Sequence, residues 1–200
     1  MQYYRQQKYD KAVESYLSIT NGNSPIDMET DLLSNVYAAY TSAGRGKEAL
    51  DNFPLDDETV GDSFELMFNT VCALISGGQL TEATSTLVKT EALCREVLSG
   101  DGLSDDEILK EITNIQLQKS FLAIVSNRSS DITRQVAVDE CLSILRTASA
   151  GGKKKKNHEM LAVAANNLAV LRGDKDLPDS LRRLRTTITA GMFYSYYSLF

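Results

Sequence analysis

Apolar residues recur along the chain at helical spacing, and polar or glycine-containing breaks separate the apolar runs. The stretch "FNTVCALISGGQLTEATSTL" (68–87) shows the arrangement: one apolar run, then Gly77-Gly78, then a second run that contains the small residue Ala83. No segment shows sustained alternation with a period of two, which is the pattern of half-buried strands. The pattern predicts nine or ten helices, paired as hairpins, and no sheet.

The hairpin pattern repeats, and each copy places a small residue in its second helix with a larger one four positions later. The four pairs are Ala12 with Tyr16, Ala49 with Phe53, Ala83 with Leu87 and, after a longer hairpin, Ala137 with Cys141. A small side chain lets two helices approach closely, and stacked hairpins share a core that one hairpin cannot bury. We therefore expect an all-α fold, a right-handed α-solenoid of tetratricopeptide-like hairpins forming one repeat domain over residues 1–200.

The breaks between the runs carry signals of helix ends. Ser104 and Glu107 have the spacing of a capping box, and Pro178 lies near an expected helix start. Only residues 1–7 represent the first helix of the first hairpin. The chain is therefore expected to be a piece of a longer solenoid.

Composition and motifs argue against catalysis. His158 is the single histidine, so neither a zinc cluster nor a histidine-based triad has its parts, and no phosphate-binding glycine motif occurs. Three cysteines without CxxC spacing are interpreted as reduced, buried thiols. We expect a non-enzyme that has no cofactor and binds no metal.

Charge and hydropathy suggest where the chain acts. The formal charge of −6 argues against broad neutralisation of nucleic-acid phosphates. No apolar run reaches the roughly 18 residues of a membrane span, and the N-terminus lacks an apolar signal core. A cytoplasmic location without membrane insertion is expected.

Two segments leave alternatives open. Lys153–Lys156 are interpreted either as a solvated loop or as a contact for RNA or an acidic peptide. Residues 192–200 contain five aromatic side chains, whose exposure would be costly. They are expected to form a last helix packed on a 179–190 helix, to contact a partner, or to precede a further repeat.

Aligning the hairpins by their small residues predicts a binding groove along the first helices. The amides that this alignment places in one row are Asn35, Asn69, Gln118 and Asn167. Such a row can hydrogen-bond an extended peptide backbone, although some amides could instead cap neighbouring helices. The apolar residues beside the amides, which favour a hydrophobic ligand, are Phe68, Cys72, Leu117, Phe121, Val163 and Val170. In the second and third copies, lysine and arginine are missing where cochaperone repeats clamp a carboxylate; the residues there are Asp31, Ser34, Glu65 and Phe68. A clamp for a chaperone's C-terminal carboxylate is therefore disfavoured.

Three short segments, in this order along the chain, are similar to segments of a known family: GGQL at 77–80, ALCREVL at 92–98 and AVAANNL at 162–168. They resemble the family of the signal recognition particle's seventy-two-kilodalton subunit, over most of residues 1–190. The resemblance implies a heterodimer with the sixty-eight-kilodalton subunit, of which a peptide segment would lie in the concave groove, and a role in co-translational targeting to the endoplasmic reticulum.

The same resemblance limits what can be expected of RNA. The family's RNA-binding region is a separate lysine-rich, tryptophan-containing segment, and this chain has no tryptophan. RNA is therefore expected only indirectly, through the full-length complex. The alternatives are a generic tetratricopeptide cochaperone or assembly scaffold that binds another peptide and, less favoured, an RNA-binding module.

Overall fold

Helices joined by short turns make up the fold, which is seen in a computed structural model that describes residues 2–20, 28–60, 63–126, 130–150 and 158–188. Within these ranges there is no strand, which confirms the all-α expectation. The helices are α1 (Gln2–Arg5), α2 (Tyr9–Thr20), α3 (Thr30–Ser42), α4 (Gly46–Asn52), α5 (Asp57–Val60), α6 (Phe64–Ser76), α7 (Leu80–Gly100), α8 (Asp105–Glu111), α9 (Thr113–Val125), α10 (Asp131–Ala150), α11 (His158–Arg172) and α12 (Leu177–Ile188).

The described helices exceed the nine or ten expected because short ones, such as the four-residue α5, interrupt the connections. They form two compact units, one ending at Asp101 and one beginning at Gly102. The expectation of a single repeat domain over residues 1–200 stays a prediction. Lys153–Lys156 and residues 192–200 lie outside the described residues.

The first unit contains three hairpins, α1–α2, α3–α4 and α6–α7. Each later first helix packs on the preceding hairpin: α3 contacts α2, and α6 contacts both α3 and α4. The large side chains fully buried between these helices are Val13, Leu33, Val36, Tyr37, Tyr40 and Leu66. The hairpins therefore share one continuous apolar core.

The second unit repeats the same neighbour relations. Its hairpins are α9–α10 and α11–α12, and α11 packs on both α9 and α10. The most deeply buried members of its core are Cys141, Ala164, Ala165 and Leu168. The two units thus use one packing scheme, in which a first helix covers both helices of the hairpin before it.

The capping box expected from the sequence is present at the start of α8. The Ser104 backbone N–H donates to Glu107 Oε2 at 3.0 Å, and the Ser104 hydroxyl donates to the same oxygen at 2.6 Å. Hydrogen bonds from the Ser104 side chain, and then from its backbone, lower the pKa of Glu107. Two donors therefore meet a carboxylate in the first turn, where the helix dipole also favours negative charge.

The small residues of the sequence pattern are buried in the structure. Ala12, Ala49, Ala83 and Ala137 are each 3% exposed or less. Their larger partners Tyr16, Phe53, Leu87 and Cys141 are buried as well. A tight approach is seen at Gly46 on α4, where an added Cβ would lie 2.8 Å from the Ala73 carbonyl oxygen of α6. The small–large pairs are therefore buried, and a close helix approach at each alanine stays a prediction.

A left-handed residue stands five positions before the small residue in each hairpin of the first unit. These residues are Gln7 (φ 58°), Gly44 (φ 73°) and Gly78 (φ 77°). In each case the next N–H closes the turn on a carbonyl five residues back: Lys8 to Tyr3 at 3.0 Å, Arg45 to Tyr40 at 2.8 Å and Gln79 to Leu74 at 2.9 Å. This is the closure of a Schellman motif, and it fixes how each second helix leaves its first.

Ion pairs join the end of α11 to the start of α12. The Asp179 carboxylate accepts from Arg183 Nε at 2.7 Å, from Arg182, and from Arg172 Nη1 at 3.0 Å. These arginines, Arg183 first and Arg182 next, hold the pKa of Asp179 well below its usual range. The carboxylate therefore stays ionised and holds the last described hairpin closed from both of its helices.

Replacing Ala83 by leucine is expected to lower the free energy of unfolding by about 1–3 kcal/mol, because three further heavy atoms must fit where α6 and α7 meet. Val88→Leu is the matched control, since Val88 lies on the same helix with 61% of its surface exposed. Urea denaturation measures both variants. An Ala83→Leu protein as stable as the control would refute the proposed contact.

The turn residues make a second prediction. Gly78→Ala and Gly44→Ala should each lower the free energy of unfolding by about 1 kcal/mol, because φ is positive while an added Cβ would meet no neighbour. Gln7→Gly should raise the free energy of unfolding, because glycine adopts the positive φ of this position without strain. Gly100→Ala, in an open helical position, is the control and should be neutral or stabilising. Equal losses at positions 78 and 100 in thermal denaturation would contradict this explanation.

Candidate functional site

The residues expected to line a groove all lie on the first helices of hairpins. In the first unit Asn35 lies on α3, while Phe68, Asn69 and Cys72 lie on α6. In the second unit Leu117, Gln118 and Phe121 lie on α9, while Val163, Asn167 and Val170 lie on α11. The structure therefore brings them together in two groups, one in each unit.

In the first unit the Asn69 amide joins two adjacent first helices. Its Nδ2 donates to the Ser34 carbonyl oxygen of α3 at 3.0 Å and to the Ser34 hydroxyl at 2.8 Å. Both contacts cross from α6 to α3, between residues 35 positions apart. The Asn69 donors are thus directed at the neighbouring helix.

The second unit makes the corresponding contact with Asn167. Its Nδ2 donates to the Leu117 carbonyl oxygen of α9 at 3.3 Å and to the Ser120 hydroxyl at 2.9 Å. Ser120 in turn donates to the Leu117 carbonyl oxygen at 2.7 Å. In the expected row of amides, Leu117 directly precedes Gln118 as Ser34 directly precedes Asn35, and Asn167 takes the place of Asn69. The same amide-to-carbonyl contact therefore occurs in both units.

The other two amides differ from this pair. Asn35 donates to the Asp31 carbonyl oxygen in its own helix at 2.7 Å, and Gln118 is 6% exposed. Leu117 and Asn167 are also buried, at 4% and 2%. Asn69 and Asn167 bond to neighbouring helices, but at carbonyls within those helices, so their contacts are not the helix caps that the sequence left open. Hydrogen bonding of a peptide by the amide row stays a prediction.

The accessible part of the expected groove is mostly apolar. Phe68 and Cys72, here called the α6 patch, are half-buried and lie one helical turn apart on one face. Val163 and Val170, here called the α11 patch, lie seven residues apart on one face, and Val170 is 46% exposed. Phe121 of α9 is also half-buried. These side chains can meet a ligand without any change in the helices.

The cysteines are inert thiols in this fold. None of the three forms a disulfide; Cys94 and Cys141 are buried, and Cys72 is half-buried. Burial raises the pKa of Cys72 to about 12 and that of Cys141 to about 11. The thiolate is the reactive form, so at neutral pH these residues act as small apolar side chains.

A metal centre and a membrane-spanning helix are two other features that a helical chain can contain. In the part of the chain that the structure describes, no group of three or more histidine, cysteine, aspartate or glutamate side chains could hold a metal ion. None of the described helices combines the length and the apolar character needed to cross a bilayer. That the chain is a non-enzyme without a cofactor stays a prediction.

Both units define a helical-hairpin protein in which a first helix packs on the hairpin before it and an asparagine bonds to the preceding first helix. Within this class the chain is similar to the signal recognition particle subunit SRP72. It is 28% identical to the Homo sapiens protein over 192 residues, 25% identical to that of Schistosoma mansoni over 185 and 23% identical to that of Caenorhabditis elegans over 186.

These alignments cover 94%, 92% and 93% of the chain, respectively, which confirms the resemblance found in its sequence. They cover 26%, 24% and 27% of the relatives, so the chain spans about a quarter of the length of the curated relatives it matches. No protein-family model and no solved structure matches the chain.

Asn69→Ala is expected to lower the free energy of unfolding by about 1–2 kcal/mol, because it removes the part-buried amide contacts from α6 to α3. Asn35→Ala removes the same chemical group from an exposed contact within α3 and should cost less than about 0.5 kcal/mol. Urea denaturation distinguishes the two. An equal decrease in the free energy of unfolding in the two variants would show that the contact from α6 to α3 stabilises the fold no more than an exposed contact within one helix.

Proposed function

We propose that the chain is a non-catalytic protein-binding region of a signal recognition particle subunit, built as a right-handed α-solenoid of tetratricopeptide-like hairpins. The observation that carries the proposal is the similarity to SRP72 over 92–94% of the chain. The first-helix packing repeated in both units supports the repeat type. By this proposal the region works in the cytoplasm, in co-translational targeting to the endoplasmic reticulum.

The proposed partner is the sixty-eight-kilodalton subunit of the particle, through a segment seated on the first helices. Burial of the half-exposed α6 patch and of the α11 patch would supply the driving force, at roughly 25 cal/mol per Å² of apolar area removed from water. The donors of Asn69 and Asn167 are used between helices. Apolar contact therefore carries more of this proposal than hydrogen bonding to the peptide backbone.

RNA enters the proposal only indirectly, through the complete complex. The chain has 27 acidic and 21 basic side chains, a balance that disfavours extended phosphate contact. In the proposed heterodimer this region would thus contact a protein subunit and would not contact the RNA directly.

The test is binding of the purified chain to the sixty-eight-kilodalton subunit, measured by calorimetry. Phe68→Asp and Val170→Asp should each weaken binding at least about tenfold, a change of about 1.4 kcal/mol, because each places a charge in an apolar contact. The controls are Val88→Asp on α7 and Ile132→Asp on α10, which also charge exposed apolar positions. They should stay within about twofold of the unchanged chain.

Three results would contradict the proposal. One is a lack of binding to the subunit by a chain with a normal melting temperature. Another is equal loss in the patch variants and their controls. The third is binding of a chaperone C-terminal peptide, or of RNA in a steeply salt-dependent manner, in place of the subunit. These outcomes would favour the cochaperone and the RNA-binding alternatives, respectively.

A further inference from the structure

A cavity of ≈ 580 Å³ lies within the first unit, on a different surface from the α6 patch. It is half open to solvent and lies between the end of α4, the chain leading to α5, and the α6–α7 hairpin. The apolar side chains that line it are Leu50, Leu55, Val60, Met67 and Leu74. Its size falls within the range of sites that hold side chains of a ligand.

The cavity exists because α4 is short. α4 has seven residues, whereas α7, which forms the facing wall, has 21. Pro54 follows the helix, and a residue before proline is disfavoured in the helical region, so α4 ends at Asn52. The second half of a full-length helix is therefore missing opposite the first turns of α7.

The end of α4 is held firmly in place by Phe53. Its N–H donates to the Ala49 carbonyl oxygen at 2.9 Å, and its own carbonyl oxygen accepts from the buried Tyr37 hydroxyl at 2.6 Å. The Phe53 ring also packs edge-on against Tyr40, with a centroid distance of 6.0 Å. The wall of the cavity at the end of α4 is thus held by a buried hydrogen bond and an aromatic contact.

Most of the charged side chains that line the cavity are acidic. Among the described residues of the lining, Asp51, Asp56 and Glu82 contribute carboxylates and Lys89 contributes a cation. Asp56 accepts from Thr59 and Glu82 accepts from Gln79. Asp51 and Glu82 are exposed, on α4 and α7 respectively. An apolar floor with carboxylates around it complements a ligand that is apolar and positively charged.

We propose that this cavity is the docking site of a short amphipathic segment of another protein, carrying lysine or arginine beside its apolar residues. The apolar side chains enter between Leu50, Met67 and Leu74, and the basic groups meet Asp51 and Glu82. The segment takes the position of the missing half of the second helix. The site is separate from the α6 patch and does not rest on the function proposed above.

The probe is a leucine–lysine amphipathic peptide of about 14 residues, roughly four helical turns, with a leucine–glutamate peptide of the same pattern as its counterpart. Fluorescence anisotropy and amide NMR spectra of the whole chain record binding at physiological salt. The lysine peptide should bind at least about tenfold more tightly than the glutamate peptide. It should shift the amides of Leu50, Met67 and Thr86, which line the cavity.

Paired charge reversals separate docking from general attraction to an acidic chain. The Asp51→Lys, Glu82→Lys double variant should weaken binding of the lysine peptide at least about tenfold. The Glu96→Lys, Asp101→Lys control changes the net charge equally at exposed positions outside the cavity and should stay within about twofold. Phe68→Asp should leave this binding unchanged.

Each of the following results would overturn the proposal: equal weakening in both double variants, no weakening in either, or no preference for the lysine peptide. Amide shifts confined to the α6 patch would do so as well, by placing the peptide on the other surface. Melting temperatures of all variants verify that the charge reversals leave the fold intact.

Discussion

The close approach of one helix to the next at small side chains is the constraint on which the rest of this structure depends. Where α4 meets α6, a single added carbon at Gly46 would come within 2.8 Å of a backbone oxygen. The second helices of the hairpins also contain buried alanines, and the larger residues four positions after them are buried as well. Because interiors are packed to crystal-like density, these contacts set the spacing of every first helix.

The polar contacts follow from that spacing. With the first helices held close, an asparagine on one reaches a carbonyl on the one before, and it does so in both units. A carbonyl that is already bonded within its helix has a second lone pair, and this lone pair can accept from such an amide. Since these amides are used in this way, the proposed contact with a partner depends mainly on the apolar side chains beside them.

The sequence predicted the helices, the small–large pairs and the capping box because each depends on residues close together in the chain. It could not show the destination of the Asn69 amide, since an amide is equally able to bond a ligand, its own helix or another helix. Gln7 was also missed as a turn residue, because glycine is the usual signal for a left-handed conformation. The sequence also could not show the cavity, because it depends on how the short α4 and the longer α7 pack around it.

The left-handed Gln7 has a consequence for how the first unit moves. α1 has four residues and none of them is buried, and it is joined to α2 through the one turn of this kind that lacks glycine. Local opening takes the least free energy where few apolar groups are buried and the backbone is strained. Amide hydrogens of α1 should therefore exchange with solvent before those of α3 and α6.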